Sequence, residues 1–140
     1  MIRTRILVAD DQREVREALR LLFKAEGIDA VSVDGPRAAI DALKKEPFDA
    51  ALIDLNYTRD TTSGAEGIEL LREIRKIDAE LPVVVMTAWG TIEVAVDAMR
   101  HGAGDFIEKP WDNQRLMSVI RTQLALADSR DEAAKLKREN

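Results

Sequence analysis

At 140 residues the chain has enough material for one core and too little for two ordinary domains. Its net charge of -5 opposes an electrostatic nucleic-acid footprint, and no apolar run approaches membrane-spanning length. Cysteine is absent, which excludes disulfides, thiolate metal sites and cysteine nucleophiles and fits a reducing compartment.

Met1 to Arg5 is followed by only four apolar residues before Asp10, too short a run for a signal peptide, so a cytoplasmic protein is predicted. Ile6 to Ala9 reads as a buried strand. Val15, Ala18, Leu19, Leu22 and Phe23 follow at helical spacing, with Gly27 as the C-terminal stop. Ile28 to Val33 is a second strand whose partial alternation suggests a sheet edge. Asp34-Gly35-Pro36 then offers an N-cap with proline in the first turn of a short helix. Ala38, Ala39, Ala42 and Leu43 form the predicted buried face of that helix, which Pro47 ends.

Ala50 to Leu55 is an apolar run carrying one carboxylate, Asp54, at its carboxyl end. Continuous hydrophobicity marks a central parallel strand. A long polar loop follows, from Asn56 to Ala65. Leu70, Leu71, Ile74 and Ile77 mark a third helix, and Pro82 to Met86 a fourth strand running into Thr87. Ile92, Ala95, Val96 and Met99 mark a fourth helix, stopped at His101-Gly102. Asp105 to Ile107 is the fifth strand. The last helix starts near Trp111 or Asp112, turns Leu116, Val119, Ile120 and Leu124 inward, and becomes highly charged from Asp128 to Asn140.

Five strands alternating with five helices, without a hairpin signal, predict an α/β fold: a doubly wound, five-stranded parallel sheet with helices on both faces. The flavodoxin-like strand order 2-1-3-4-5 puts strands one and three side by side at the switch point, which brings Asp10 and Asp11 next to Asp54. At an effective dielectric of about 20 and a separation of about 5 Å, each carboxylate pair repels by roughly 3 kcal/mol. A bound cation is therefore expected, and an all-oxygen cluster selects a hard one, Mg²⁺ or a similar divalent ion such as Mn²⁺. Lys109 approaches as a point charge for an anion, and Thr87 adds a hydroxyl donor. A carboxylate nucleophile, a metal, a cationic clamp and a hydrogen-bond donor are the parts of phosphoryl transfer.

Each residue also has a plainer reading. Asp11 with Glu14 fits a capping box, Thr87 can start a turn, Lys109 can snorkel, Phe106 can be core, and Asp54 can cap the loop after it. His101, beside a helix-ending glycine, reads as a helix-terminus residue.

In order, Asp10-Asp11, Asp54, Thr87-Ala88, Gly102 to Glu108 and Lys109-Pro110 resemble the receiver domain of bacterial two-component response regulators, over the chain to about Leu126. The resemblance implies that Asp54 accepts a phosphoryl group from a phosphohistidine of a sensor histidine kinase. It implies that Asp10, Asp11, Asp54 and the backbone carbonyl of Asn56 hold the metal. Thr87 and Phe106 would be the switch, signalling to the face of helix four, strand five and helix five. A cis peptide at Lys109-Pro110 is also implied.

More finely, Met86 to Thr91 and Ala98 to Trp111 resemble receivers of enhancer-binding, NtrC-type activators, which carry an AAA+ ATPase and a helix-turn-helix domain. Residues 1–126 would then be the receiver and 127–140 the start of a helical linker to an effector domain. A homodimer is expected, with no nucleic acid or membrane contact by this chain itself.

The sequence departs from the family after Asp54. Tyr57-Thr58 stands where Met-Pro is usual, and the glycine that follows corresponds to Gly67, which makes the loop longer. Asn56 and Trp89 flank the site at positions that, by resemblance, tune the lifetime of the acyl phosphate. Asp54-Leu55-Asn56-Tyr57-Thr58 also resembles the nucleophile motif of haloacid dehalogenase-type phosphatases. Against that reading, Asn56 cannot act as a general acid and the acidic pair precedes the nucleophile in the chain. An inert receiver-like binding module is the third reading.

Overall fold

The computed structural model describes residues 3–57, 65–88 and 91–139. Strands β1 (Arg5–Ala9), β2 (Asp29–Val33), β3 (Ala50–Asp54), β4 (Val83–Ala88) and β5 (Asp105–Lys109) alternate with helices α1 (Arg13–Ala25), α2 (Pro36–Lys45), α3 (Ala65–Ile77), α4 (Ile92–Arg100) and α5 (Asn113–Glu139). All strand pairs are parallel and the order is β2-β1-β3-β4-β5. The doubly wound sheet read from the sequence is therefore the fold, with β2 at an edge.

The central strands are apolar throughout because both of their faces are covered. On one face Leu7, Ala9, Ala51, Ile53, Val83 and Val85 pack under α2, α3 and α4 through Ala39, Leu70, Leu71, Ile74 and Ala98. On the other, Ile6, Val8, Leu52, Val84 and Met86 meet Leu19 and Phe23 of α1 and Leu116 and Ile120 of α5. Alternate residues of one strand thus feed two cores.

Three helix details correct the sequence reading. The first helix is capped at Gln12 with no side-chain cap bond, so Asp11 and Glu14 do not form a capping box. Asp10 instead accepts the Gln12 N–H, at 2.8 Å. In α4 the inward face is made by Ala95 and Ala98, whereas Ile92, Val96 and Met99 are 54%, 46% and 40% exposed. The spacing located the helix, but its small residues are the ones that let it lie close to the sheet. Ile77, the last residue of the predicted α3 stripe, is also exposed.

Two glycines mark the expected helix ends, with positive φ of 75° at Gly27 and 103° at Gly102, a conformation that favours glycine. His101 caps the end of α4 beside Gly102, and its Nδ1 lies 2.9 Å from the carbonyl of Asp97.

Candidate functional site

The carboxyl ends of β1, β3 and β5 carry Asp10, Asp54 and Lys109 to one edge of the sheet. Ala9 stands opposite Ile53 in the β1–β3 register, so the residues that follow each of them, Asp10 and Asp54, emerge together. The carboxylate oxygens of Asp10, Asp11 and Asp54 lie within 4.8 Å of one another. Neighbouring oxygens around an octahedral Mg²⁺ sit about 2.9 Å apart and opposite ones about 4 Å, so a small inward movement of the three carboxylates would let them share one small cation, with water completing the shell.

Both inner carboxylates are buried, Asp10 fully and Asp54 at 3% exposure. The Lys109 ammonium lies 2.7 Å from Asp10 Oδ2 and 3.3 Å from Asp54 Oδ2, which offsets part of the repulsion between them. Asp54 nonetheless holds its proton unusually well. Burial pushes its carboxyl up to about 6, Lys109 pulls it down, Asp10 raises it further, and the Asn56 N–H, 3.1 Å from Asp54 Oδ1, lowers it. At neutral pH it is mostly ionised and can act as a nucleophile.

These groups open into a crevice of about 800 Å³. Asp11, Asp54, Asn56 and Lys109 form its polar floor, and Val15, Ala18 and Trp111 an apolar wall. The Lys109–Pro110 peptide is cis, as the resemblance implied.

Not every predicted site residue joins this cluster. Thr87 ends up beyond Met86, the register partner of Asp54. Its hydroxyl is fully buried and makes no hydrogen bond among the described residues. Phe106, opposite Val85, is partly buried against the core beneath α2, α3 and α4. Both amide atoms of Asn56 are buried without a partner among the described residues. Trp89 and the loop residues 58–64 lie outside the described residues.

Three contributors escaped the sequence reading. Gln12, at the N-cap of α1, and Arg16 within it hold Asp10, the Gln12 N–H donating to its carboxylate and the Arg16 guanidinium donating to its carbonyl at 2.9 Å. Tyr57, read from the sequence only as a departure from the family, is 3% exposed and donates its hydroxyl to the carbonyl of Ala9 at 3.2 Å. Burial first, then the Asp54, Asp10 and Asp11 charges, push its phenol well above the usual range and keep it a donor. The one available signal was a polar-tipped aromatic directly after a buried strand.

Gly67 lies where the start of α3 meets the end of β3. A Cβ there would lie 2.3 Å from the Leu55 Cα, and its N–H donates to the Leu55 carbonyl at 3.2 Å. The start of α3 thus rests directly on the residue after Asp54.

Residues 6–121 match the response regulator receiver domain family. The chain belongs to that family. It is 36% identical over 116 residues to the response regulator protein FleR of Pseudomonas aeruginosa, covering 83% of this receiver chain and 24% of FleR. Regulatory protein AtoC of Escherichia coli is 31% identical over 128 residues, 91% of this chain and 27% of AtoC. A crystal structure of NtrX from Brucella abortus in complex with ADP superposes with a TM-score of 0.89 at 32% identity, covering 96% of this chain and 30% of that one. The receiver chain spans about a quarter of the length of relatives such as FleR and AtoC. No described helix is long and apolar enough to cross a membrane.

Proposed function

We propose that this receiver is the phosphoryl-accepting switch of a larger transcriptional regulator, with Asp54 as the acceptor. The observation that carries the reading is the buried Asp54 carboxylate, set among Asp10, Asp11 and Lys109 at the open edge of the sheet. In the proposed step an Asp54 oxygen attacks the phosphorus of a phosphohistidine on a sensor histidine kinase. The P–N bond breaks, its electron pair leaves with the imidazole, and an acyl phosphate forms.

Asp10, Asp11, Asp54 and the backbone carbonyl of Asn56 would hold Mg²⁺ or Mn²⁺. When bound, such an ion neutralises phosphoryl oxygens and orients them for in-line transfer. The Lys109 ammonium then turns from the carboxylates to a phosphoryl oxygen. The unpartnered Thr87 hydroxyl donates to another, and Phe106 follows into the space that Thr87 leaves.

Asn56 supports the lifetime-tuning reading, since its buried amide atoms lie beside Asp54 with bonding capacity to spare. Trp89 is proposed for the same role, and an unchanged dephosphorylation rate in Trp89→Ala would remove it. The exposed Ile92, Val96 and Met99 stripe on α4 supports a homodimer through the α4, β5 and α5 face. Relatives such as AtoC and NtrX support an NtrC-type effector after the linker 127–140, with Asp54 signalling to it in the cytoplasm. The net charge of -5 argues against DNA contact by the receiver itself.

Acetyl phosphate with Mg²⁺ tests the central claim. A hydroxylamine-labile adduct is expected in the wild type, lost in Asp54→Asn and on adding EDTA. Steady hydrolysis of phosphomonoesters would instead support the phosphatase, and no reaction the inert module.

A further inference from the structure

Four bonds or contacts converge on the short segment that leaves β3. The Asn56 N–H holds Asp54 Oδ1 at 3.1 Å, the Gly67 N–H holds the Leu55 carbonyl at 3.2 Å, and Gly67 leaves no room for a Cβ against Leu55. The fourth is different in kind. Tyr57 Oη reaches 48 residues back along the chain, to the carbonyl of Ala9, the residue immediately before the acidic pair Asp10-Asp11. Its ring lies in the same apolar cluster as Ala9, Leu55 and Leu71, so packing places the ring and the hydroxyl adds a separate tie.

We infer that Tyr57 is a positioning residue of the acidic centre: its hydroxyl ties the loop after β3 to the end of β1 and thereby sets the separation of Asp54 from Asp10 and Asp11 that a divalent cation requires. This rests on the reading of the crevice as a metal-assisted phosphoryl acceptor. Three carboxylates at the ends of two paired strands repel one another, and the Lys109 ammonium offsets that only in part, so whatever fastens the strand ends helps to set their separation. Asp10 is fastened by the backbone N–H of Gln12, the N-cap of α1. Asp54 is fastened from its own loop, and among the described residues the Tyr57 hydroxyl is the side-chain bond that spans from that loop to β1. Groups that orient metal ligands without touching the ion typically alter affinity by ten- to a hundredfold.

Tyr57→Phe separates the tie from the ring, because it keeps the aromatic volume and deletes only the donor. Mg²⁺ titration followed by the fluorescence of Trp111 on the crevice wall, with Mn²⁺ calorimetry in parallel, should show affinity weakened by about tenfold. The unfolding midpoint in EDTA should change little. An affinity within twofold of wild type overturns the inference, as does a lower midpoint in EDTA with unchanged affinity, which would make Tyr57 a core residue only. If Tyr57→Phe does not fold, Tyr57→Met, which also lacks the hydroxyl, is expected to show the same loss, and unchanged affinity in it counts equally against the tie. A wild type that binds neither ion overturns the functional reading itself. A wild type that binds, with unaffected variants, overturns only the role of Tyr57.

Discussion

Asp54 is a carboxylate whose proton the fold retains. Its folded pKa of about 6 stands above the unfolded value of about 4, because burial outweighs the attraction of Lys109. The folded chain therefore binds this proton more tightly than the unfolded one. The stabilisation is complete below about pH 4 and is lost as pH rises through about 6, amounting to on the order of 3 kcal/mol. Asp54→Asn carries no such charge. In EDTA the variant is expected to be the more stable protein at pH 7.5 and to match the wild type at pH 4. Urea unfolding at both pH values checks this, and a wild type at least as stable at pH 7.5 refutes it. A divalent cation should narrow the difference by stabilising the ionised wild type.

The elements were more legible than their orientations. Alternating apolar runs and helical spacings located all ten, because a two-sided parallel sheet leaves continuous strands such as Ala50 to Leu55 and nothing that resembles a hairpin. What α4 would turn inward was readable only at Ala95. Its apolar stripe and its alanine stripe are both helical faces, and only the approach distance to the sheet selects Ala95 and Ala98. Asp10, Asp11 and Asp54 come together because strand order brings adjacent strand ends together, and the long Lys109 side chain reaches them from β5. The place of Tyr57 was not readable, since its partner is a backbone carbonyl, which has no residue type to read.

Gly67 belongs to the same scale, as the point where α3 meets the end of β3. Gly67→Ala forces a methyl against the Leu55 backbone, which cannot swing aside as a side chain can. A loss of roughly 2 kcal/mol or more is expected from denaturant unfolding, together with weaker Mg²⁺ binding as Leu55 shifts its neighbour Asp54. Unaltered stability would show that α3 can move away freely.

For the whole molecule, the two cores end before α5 does. Every described side chain from Asp128 to Lys137 is exposed. The fragment 1–126 should therefore keep the stability of the full chain within about 0.5 kcal/mol and form the same acyl phosphate. Loss of folding in the fragment would place the domain boundary later. Scattering with and without a beryllofluoride mimic tests the proposed dimer. Val96→Glu, at an exposed position, should abolish any gain in mass without altering monomer stability, and no gain at full occupancy counts against the dimer.

The buried Thr87 hydroxyl, bonded to nothing among the described residues, has a consequence for the molecule's energy landscape. An unmet buried donor costs about 1–3 kcal/mol, so the resting conformation is held below its best attainable stability at that point. A newly arrived acceptor within its reach recovers that deficit, a bias of roughly five- to a hundred-and-fiftyfold between two conformations. On the proposed switch reading, one new oxygen within reach of Thr87 is enough to tilt the domain.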